Sequence, residues 1–143
     1  MKKQFSPAWK RSTQVRKQRK YRYNAPLHLR QKMLSAHLSK QLRAEYRRRA
    51  IPIRTGDEVV VTTGQFRKKH GKVTEVDMKK LKIFIDGCSR KKVSGQEVHI
   101  PIDPSNVVIT KANMDDKMRQ KILRRKTEKK KVEKTAEKKV EKK

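Results

Sequence analysis

The stretch GDEVVVTTGQFRKKHGKVTEV, residues 56–76, decides how the rest of the chain is read. It opens with Val59 and Val61 in alternation, as one face of a strand supplies. It breaks at Gly64, and Arg67, Lys68, Lys69 and His70 fill the break. It resumes at Gly71 with Val73 on one face and Val76 on the other, so the alternation slips. Two short strands joined by a glycine-bearing loop predict a β-hairpin. Adjacent cations repel one another, and the cluster becomes favourable when a polyanion lies across it.

The strand pattern continues downstream. LKIFID, residues 81–86, places Leu81, Ile83 and Ile85 on one face and Lys82, Phe84 and Asp86 on the other. Asp86-Gly87 begins a turn that CSRKK, residues 88–92, extends. EVHIPI, residues 97–102, alternates Val98, Ile100 and Ile102, and Pro101 confines it to an edge or a bulge. PSNVVIT, residues 104–110, supplies a last short strand. Five strands in about 55 residues predict a small closed or half-closed barrel. A core of this size has modest stability, because a domain of about 60 residues buries only about 60% of its unfolded surface.

Charge divides the chain around this module. Of 143 residues, 42 are Lys or Arg and 14 are Asp or Glu, a net charge of +28. Residues 1–50 carry net +15, residues 51–110 net +4 and residues 111–143 net +9. A nearly balanced module is thus flanked by two basic extensions, and the expected partner is a phosphate backbone or an anionic surface. No apolar run approaches the roughly 18 residues of a membrane span, and the basic segments lack a continuous apolar face, which disfavours a membrane. Lys2 and Lys3 resemble the charged start of a signal peptide, but no apolar segment follows. Cys88 is the single cysteine and cannot form an internal disulfide, which fits a reducing compartment.

The extensions differ from one another. Residues 1–25 show no helical or strand period, and Trp9, Tyr21 and Tyr23 lie among Arg and Lys. Such an arm is either a solvated tail or a strand of cations and aromatics laid on phosphates and bases. Residues 26–49 read as helical, with Leu34, Leu38 and Leu42 turned to the module and Ser35 or Ser39 interrupting and capping a second helix. After the module, Met114, Met118 and Ile122 stand at intervals of four, and Asp115 and Asp116 favour a helix start. KKVEK occurs twice beyond it, at residues 130–134 and 138–142, in a Lys/Glu tail with nothing to bury. The expected division is 1–50 basic arm and helices, 51–110 barrel, 111–127 helix and 128–143 disordered tail.

Catalytic chemistry has no sequence signature here. His28, His37, His70 and His99 are dispersed and lack metal-ligand spacing with Cys88, and no phosphate loop, nucleophile elbow or zinc-protease pattern occurs. Asp57, Glu58 and Asp86 sit at strand starts and turns, where a structural role is expected. No enzyme activity, metal or cofactor is expected.

Residues 53–76 resemble a KOW motif, which belongs to an SH3-like β-barrel of ribosomal proteins and transcription elongation factors. The resemblance extends further. YNAPLHLRQKMLSAHLSKQLRAEYRRRAIPIRTGDEV, HIPIDPSNVVIT and DDKMRQKILRRK are similar in order and spacing to an archaeal and eukaryotic large-subunit ribosomal protein family, bacterial number twenty-four and eukaryotic number twenty-six. The similarity covers about residues 20–126. It implies a mainly β fold, a small SH3-like (KOW) β-barrel with an N-terminal helical and basic extension, a C-terminal helix and a mobile tail. It implies a non-catalytic protein that binds large-subunit rRNA, helps start assembly, and lies near the exit of the polypeptide tunnel beside neighbouring large-subunit ribosomal proteins. The expected place is the cytoplasmic ribosome, with nuclear or nucleolar assembly in a eukaryote, and no homo-oligomer. The alternatives are a KOW-type transcription elongation factor, which needs a further domain, and an RNA-annealing protein, which lacks strand periodicity.

The RNA-binding residues expected are Lys10, Arg11, Arg16, Lys17, Arg19, Lys20, Arg22, Arg30, Lys32, Arg47, Arg48, Arg49, Arg54, Arg67, Lys68, Lys69, His70 and Lys72. Gly56, Gly64 and Gly71 are the expected structural glycines. Gly71, followed by Lys72-Val73, matches the glycine of the motif and is expected to permit φ > 0 or a close backbone approach. The family commonly has Lys-Gly where this chain has Arg67-Lys68. Lys68 therefore either takes φ > 0 or the turn rearranges.

Overall fold

A computed structural model describes residues 3–123 and 125. Its strands are β1 Ser35–Leu38, β2 Ala50–Pro52, β3 Glu58–Val61, β4 His70–Asp77, β5 Lys82–Ile85, β6 Ser89–Lys91, β7 Glu97–His99 and β8 Val107–Lys111. Helices α1 Val15–Asn24, α2 Leu27–Met33 and α3 Lys40–Tyr46 precede or interrupt them, and residues 117–123 are helical. Six strands form one mixed sheet in the order β2-β1-β8-β3-β4-β5, and β6 pairs with β7 in a separate hairpin. This is the mainly β, SH3-like arrangement expected. The expected tail, residues 128–143, lies outside the described residues.

The sheet grows from the hairpin of the opening stretch. β3 pairs antiparallel with β4, Val59 opposite Gly71 and Val60 opposite His70, and Val59 and Val61 are buried. The slipped alternation of β4 has a cause. Val73 faces Ile85 and Val76 faces Ile83, so two inward residues stand three apart, and a register shift between Val73 and Glu75 takes up the extra residue. Such a bulge bends the strand and lets the sheet curl. The outer edge of β5 is covered by Ile102, which exchanges both backbone hydrogen bonds with Ile83 at 2.9 Å. Buried Leu38, Ile51, Ile83, Ile85, Val107 and Ile109 form the centre of the core.

Three expectations are corrected. Residues 26–49 are not continuously helical: Ser35–Leu38 is strand β1, antiparallel to β2 and parallel to β8. The leucines at 34, 38 and 42 satisfy a four-residue period, but Leu34, Ala36 and Leu38 also satisfy a two-residue period, and pairing with two strands decides for the latter. Ser39 does cap the second helix, its Oγ accepting from Leu42 N at 3.3 Å. Residues 1–25 are not irregular, since α1 and a 3-10 turn, Pro7–Arg11, lie there. Ser89–Lys91 of the expected turn is a strand, pairing Arg90 with Val98, so Val98 joins a hairpin outside the core sheet.

Of the apolar series at intervals of four, Met114 packs on the core just ahead of the C-terminal helix. Leu123 and Arg119 are buried, whereas Met118 is exposed. Arg119 Nη1 and Nη2 donate to Asp57 Oδ1 and Oδ2 at 2.6 and 2.8 Å. Asp57 is fully buried and also accepts from the backbone N–H of Arg54 at 2.9 Å and of Asn113 at 2.8 Å. The carboxylate thus has four donors in the dry base of the barrel, and the bidentate fork fixes the helix on it. Asp116 Oδ1 accepts from Met118 N at 2.8 Å, the start signal expected of the acidic pair.

Candidate nucleic-acid interface

The basic loop is held open by its own backbone. Val61 N donates to Lys69 O at 2.9 Å and Lys68 N donates to Val61 O at 2.8 Å, so two loop residues oppose one strand residue. Lys68 takes φ 67°, the left-handed conformation that glycine adopts without strain. Of the two possibilities left by the sequence, the chain keeps the turn and strains Lys68. Arg67, Lys68 and His70 are exposed. Lys69 reaches across to the next turn, its Nζ donating to Gly87 O and standing 5.6 Å from the centre of the Phe66 ring.

Gly71 serves close approach rather than positive φ. A Cβ there would stand 2.6 Å from Ile85 Cγ2 and 2.7 Å from Asp86 O. The neighbouring turn therefore lies directly against β4, which keeps the base of the loop rigid. Gly56 and Gly64 do take positive φ, 86° and 88°.

The N-terminal arm is a second, separately built basic surface. The Gln18 side chain donates to the carbonyls of Trp9, Lys10 and Ser12 at 3.0, 3.1 and 2.7 Å and folds the 3-10 turn onto α1. Tyr21 is buried against Phe5, ring centres 5.2 Å apart. Arg30, one of the expected RNA-binding residues, is taken up by the fold instead. Its Nε donates to Ala25 O at 2.8 Å, its Nη2 to Tyr23 O, and its Nη1 to Lys79 O at 2.9 Å. One guanidinium thereby closes the end of α1 and ties it to the turn between β4 and β5. That turn is itself capped by Asp77 Oδ1, which accepts from Lys79 N and Lys80 N at 2.8 and 3.0 Å. These backbone donors, Lys80 first, hold the Asp77 carboxyl below the usual carboxylate range. Met118 N, with Arg54 beside it, does the same for Asp116.

The expected site residues on the loop and on the N-terminal arm therefore form two groups, and Arg47, Arg48 and Arg49 lie apart from both in sequence, between α3 and β2. The loop sits at the start of β4 and the arm docks at its end, so the eight residues of His70–Asp77 separate them, about 24 Å if straight. Lys10, Arg11, Arg16, Lys17, Arg19, Lys20, Arg22, Lys32, Arg47, Arg49 and Lys72 are exposed, like the loop residues Arg67, Lys68, Lys69 and His70. Four of the expected residues give a side-chain nitrogen to the protein itself: Lys69 and Arg30 as above, Arg48, whose Nη2 donates to Ile122 O at 2.6 Å, and Arg54, which pairs with Asp116. Arg54 is the one member of the set that meets a carboxylate among the described residues.

Sequence reasoning missed the β6–β7 hairpin. Arg90, Lys91 and Lys92 are exposed on it, with Val93 fully and Val98 partly exposed beside them. The signal is present as three consecutive cations, which the sequence pattern places in a turn. Among the described residues no group of three His, Cys, Asp or Glu side chains could hold a metal, and Cys88 is buried with its thiol pushed up by desolvation.

Fold and charge together define the class: a small SH3-like barrel carrying basic surfaces at both ends of its longest strand. Residues 12–126 match the family of ribosomal proteins described as L26 in eukaryotes and L24 in archaea, and the chain belongs to that family. It is 46% identical over 115 residues to large ribosomal subunit protein uL24 of Methanosphaera stadtmanae, covering 80% of this chain and 98% of that protein. It is 49% identical over 110 residues to the protein of the same name from Korarchaeum cryptofilum, covering 77% of this chain and 84% of that one. Membership makes this a structural, non-enzymatic ribosomal protein and decides against a transcription elongation factor.

Proposed function

We propose that this chain is a constituent of the large ribosomal subunit that binds large-subunit rRNA through phosphate-backbone and shape contacts. It supports subunit assembly and sits near the exit of the polypeptide tunnel, with neighbouring large-subunit proteins as its other partners. Its place is the cytoplasmic ribosome, after nucleolar assembly where the cell has a nucleolus.

One observation carries the reading. No acidic side chain occurs before Glu45, while α1 and the β3–β4 loop expose their cations without carboxylate partners among the described residues. A protein surface of one sign is unfavourable alone and favourable against closely spaced phosphates. The deep major groove of an RNA helix hides its bases from such cations, so backbone and shape are what they can read. The large-subunit names of the relatives support large-subunit rRNA as the partner, and the place near the tunnel exit rests on the family resemblance alone. Nuclease footprinting on purified large-subunit RNA tests it. The expected result is two protected regions, one lost on charge removal in the loop and the other on charge removal in α1. Protection scattered evenly over the RNA, or no protection, would contradict the reading.

A further inference from the structure

Four aromatic side chains lie in the arm, Phe5, Trp9, Tyr21 and Tyr23, and the fold treats them differently. Tyr21 is buried against Phe5. Trp9 is half-buried, and Lys20 Nζ stands 5.4 Å from its ring centre. Tyr23 is 79% exposed. It shares a face of α1 with Arg16 and Arg19, which precede it by seven and four residues, and Lys20 follows Arg16 by four. Arg16, Arg19 and Lys20 are exposed, whereas Gln18 and Tyr21 occupy the opposite, inward side. The Tyr23 backbone is fixed, because Arg30 holds its carbonyl and that of Ala25 and is itself anchored on Lys79 O.

We propose that Tyr23 is a stacking platform for an unpaired RNA base, with Arg16, Arg19 and Lys20 engaging the phosphates on either side of that nucleotide. A tyrosine ring offers a large amphipathic face on only two side-chain torsions, so it loses little entropy on stacking. The acid-free run before Glu45 selects a polyanion as the occupant of this helix face. A base-paired A-form helix keeps its bases stacked inside, so the nucleotide that meets Tyr23 belongs to a bulge, loop or end. Trp9 and Tyr21 hold the arm together and do not stack on RNA. The proposal rests on the RNA-binding reading above and adds to it one base-contacting residue and the kind of nucleotide it takes.

The test compares full-length protein with Tyr23→Ala, Tyr23→Phe and the triple variant Arg16→Gln, Arg19→Gln, Lys20→Gln. Binding is measured to large-subunit rRNA and to a perfect RNA duplex, over a range of salt. Tyr23→Ala should weaken binding to the rRNA by roughly 5- to 150-fold, the span of single-base stacking, with the salt slope unchanged. It should leave duplex binding and the thermal melt unchanged, and Tyr23→Phe should bind like the parent. The triple variant should instead flatten the salt slope. Normal rRNA binding by Tyr23→Ala, an equal loss on duplex RNA, or a Tyr23→Phe defect as large as that of Tyr23→Ala would each overturn the stacking role. If the parent protein itself shows no salt-dependent rRNA binding, the RNA reading fails and the stacking role with it.

Discussion

Replacing Arg119 with Met should be the most damaging single change near the C-terminal helix. Asp57 is fully buried and its carboxylate accepts four hydrogen bonds, two from the Arg119 fork at 2.6 and 2.8 Å. Arg119 is itself 5% exposed, so solvent screens the pair little. Removing one partner of a buried pair leaves an uncompensated charge and costs about 3–5 kcal/mol. Small domains have total stabilities of about 5–15 kcal/mol, so a barrel of this size is left near its margin. At roughly 4–8 °C per kcal/mol the melting midpoint should fall by on the order of 12–40 °C. Circular-dichroism melts and urea titrations measure it. Asp57→Asn should also be severe, because one amide oxygen cannot replace two carboxylate oxygens. The double variant should lose less than the sum, with a coupling of about 2–3 kcal/mol. A loss below about 1 kcal/mol for Arg119→Met, or strict additivity, would refute the clasp.

Gly71→Ala should destabilise the barrel by about 1–3 kcal/mol, because its Cβ meets Ile85 and the Asp86 carbonyl below contact distance; a urea midpoint equal to the parent's would contradict this. Lys68→Gly should do the reverse and stabilise by up to about 1 kcal/mol, since a left-handed L-residue costs roughly 1–2 kcal/mol and glycine's greater unfolded freedom returns about half of that. In acid, Asp77 and Asp116 set the onset of weakening. Their folded-state pKa values are depressed, so their contribution is complete above the unfolded value and is lost as pH falls through the folded one. Melting midpoints should be flat from about pH 7 to 5 and fall below about pH 4, and Asp77→Asn should lower the neutral-pH midpoint and shrink the acid-induced drop.

The barrel was legible because its strands carry two-residue alternation, and even the slip between Val73 and Val76 was visible as a break. Its reason, a bulge that turns both valines inward, needed the pairing with Ile83 and Ile85. β1 was not legible, since Leu34, Leu38 and Leu42 satisfy a helical period and only the partners β2 and β8 favour a strand. The buried face of the C-terminal helix was not legible either. Met114, Met118 and Ile122 mark an apolar stripe, yet the buried position goes to Arg119, because Asp57 lies under it from a segment about sixty residues away in sequence. The cations of the loop were correctly read as exposed. That Arg48 and Arg54 serve the fold was invisible, because their partners Ile122 O and Asp116 come from distant segments, and Arg30 owes its inward turn to Lys79 O as well as to the nearby carbonyls of Tyr23 and Ala25. Composition tells how many cations a chain carries, and only packing tells which remain available.

The salt dependence of binding to large-subunit rRNA tests the central claim most directly. The full chain should lose affinity steeply between about 50 and 200 mM salt, with log K falling against log salt by roughly 0.7–0.9 per phosphate engaged. Replacing Arg67, Lys68 and Lys69 together with Gln should flatten that slope by up to about three phosphate equivalents and change the melting midpoint little, since exposed like charges and the solvent-exposed contact of Lys69 with Gly87 add little to stability. A parent protein that binds equally at both salt concentrations, or a loop variant whose slope matches the parent's, would contradict a phosphate-backbone interface at this loop.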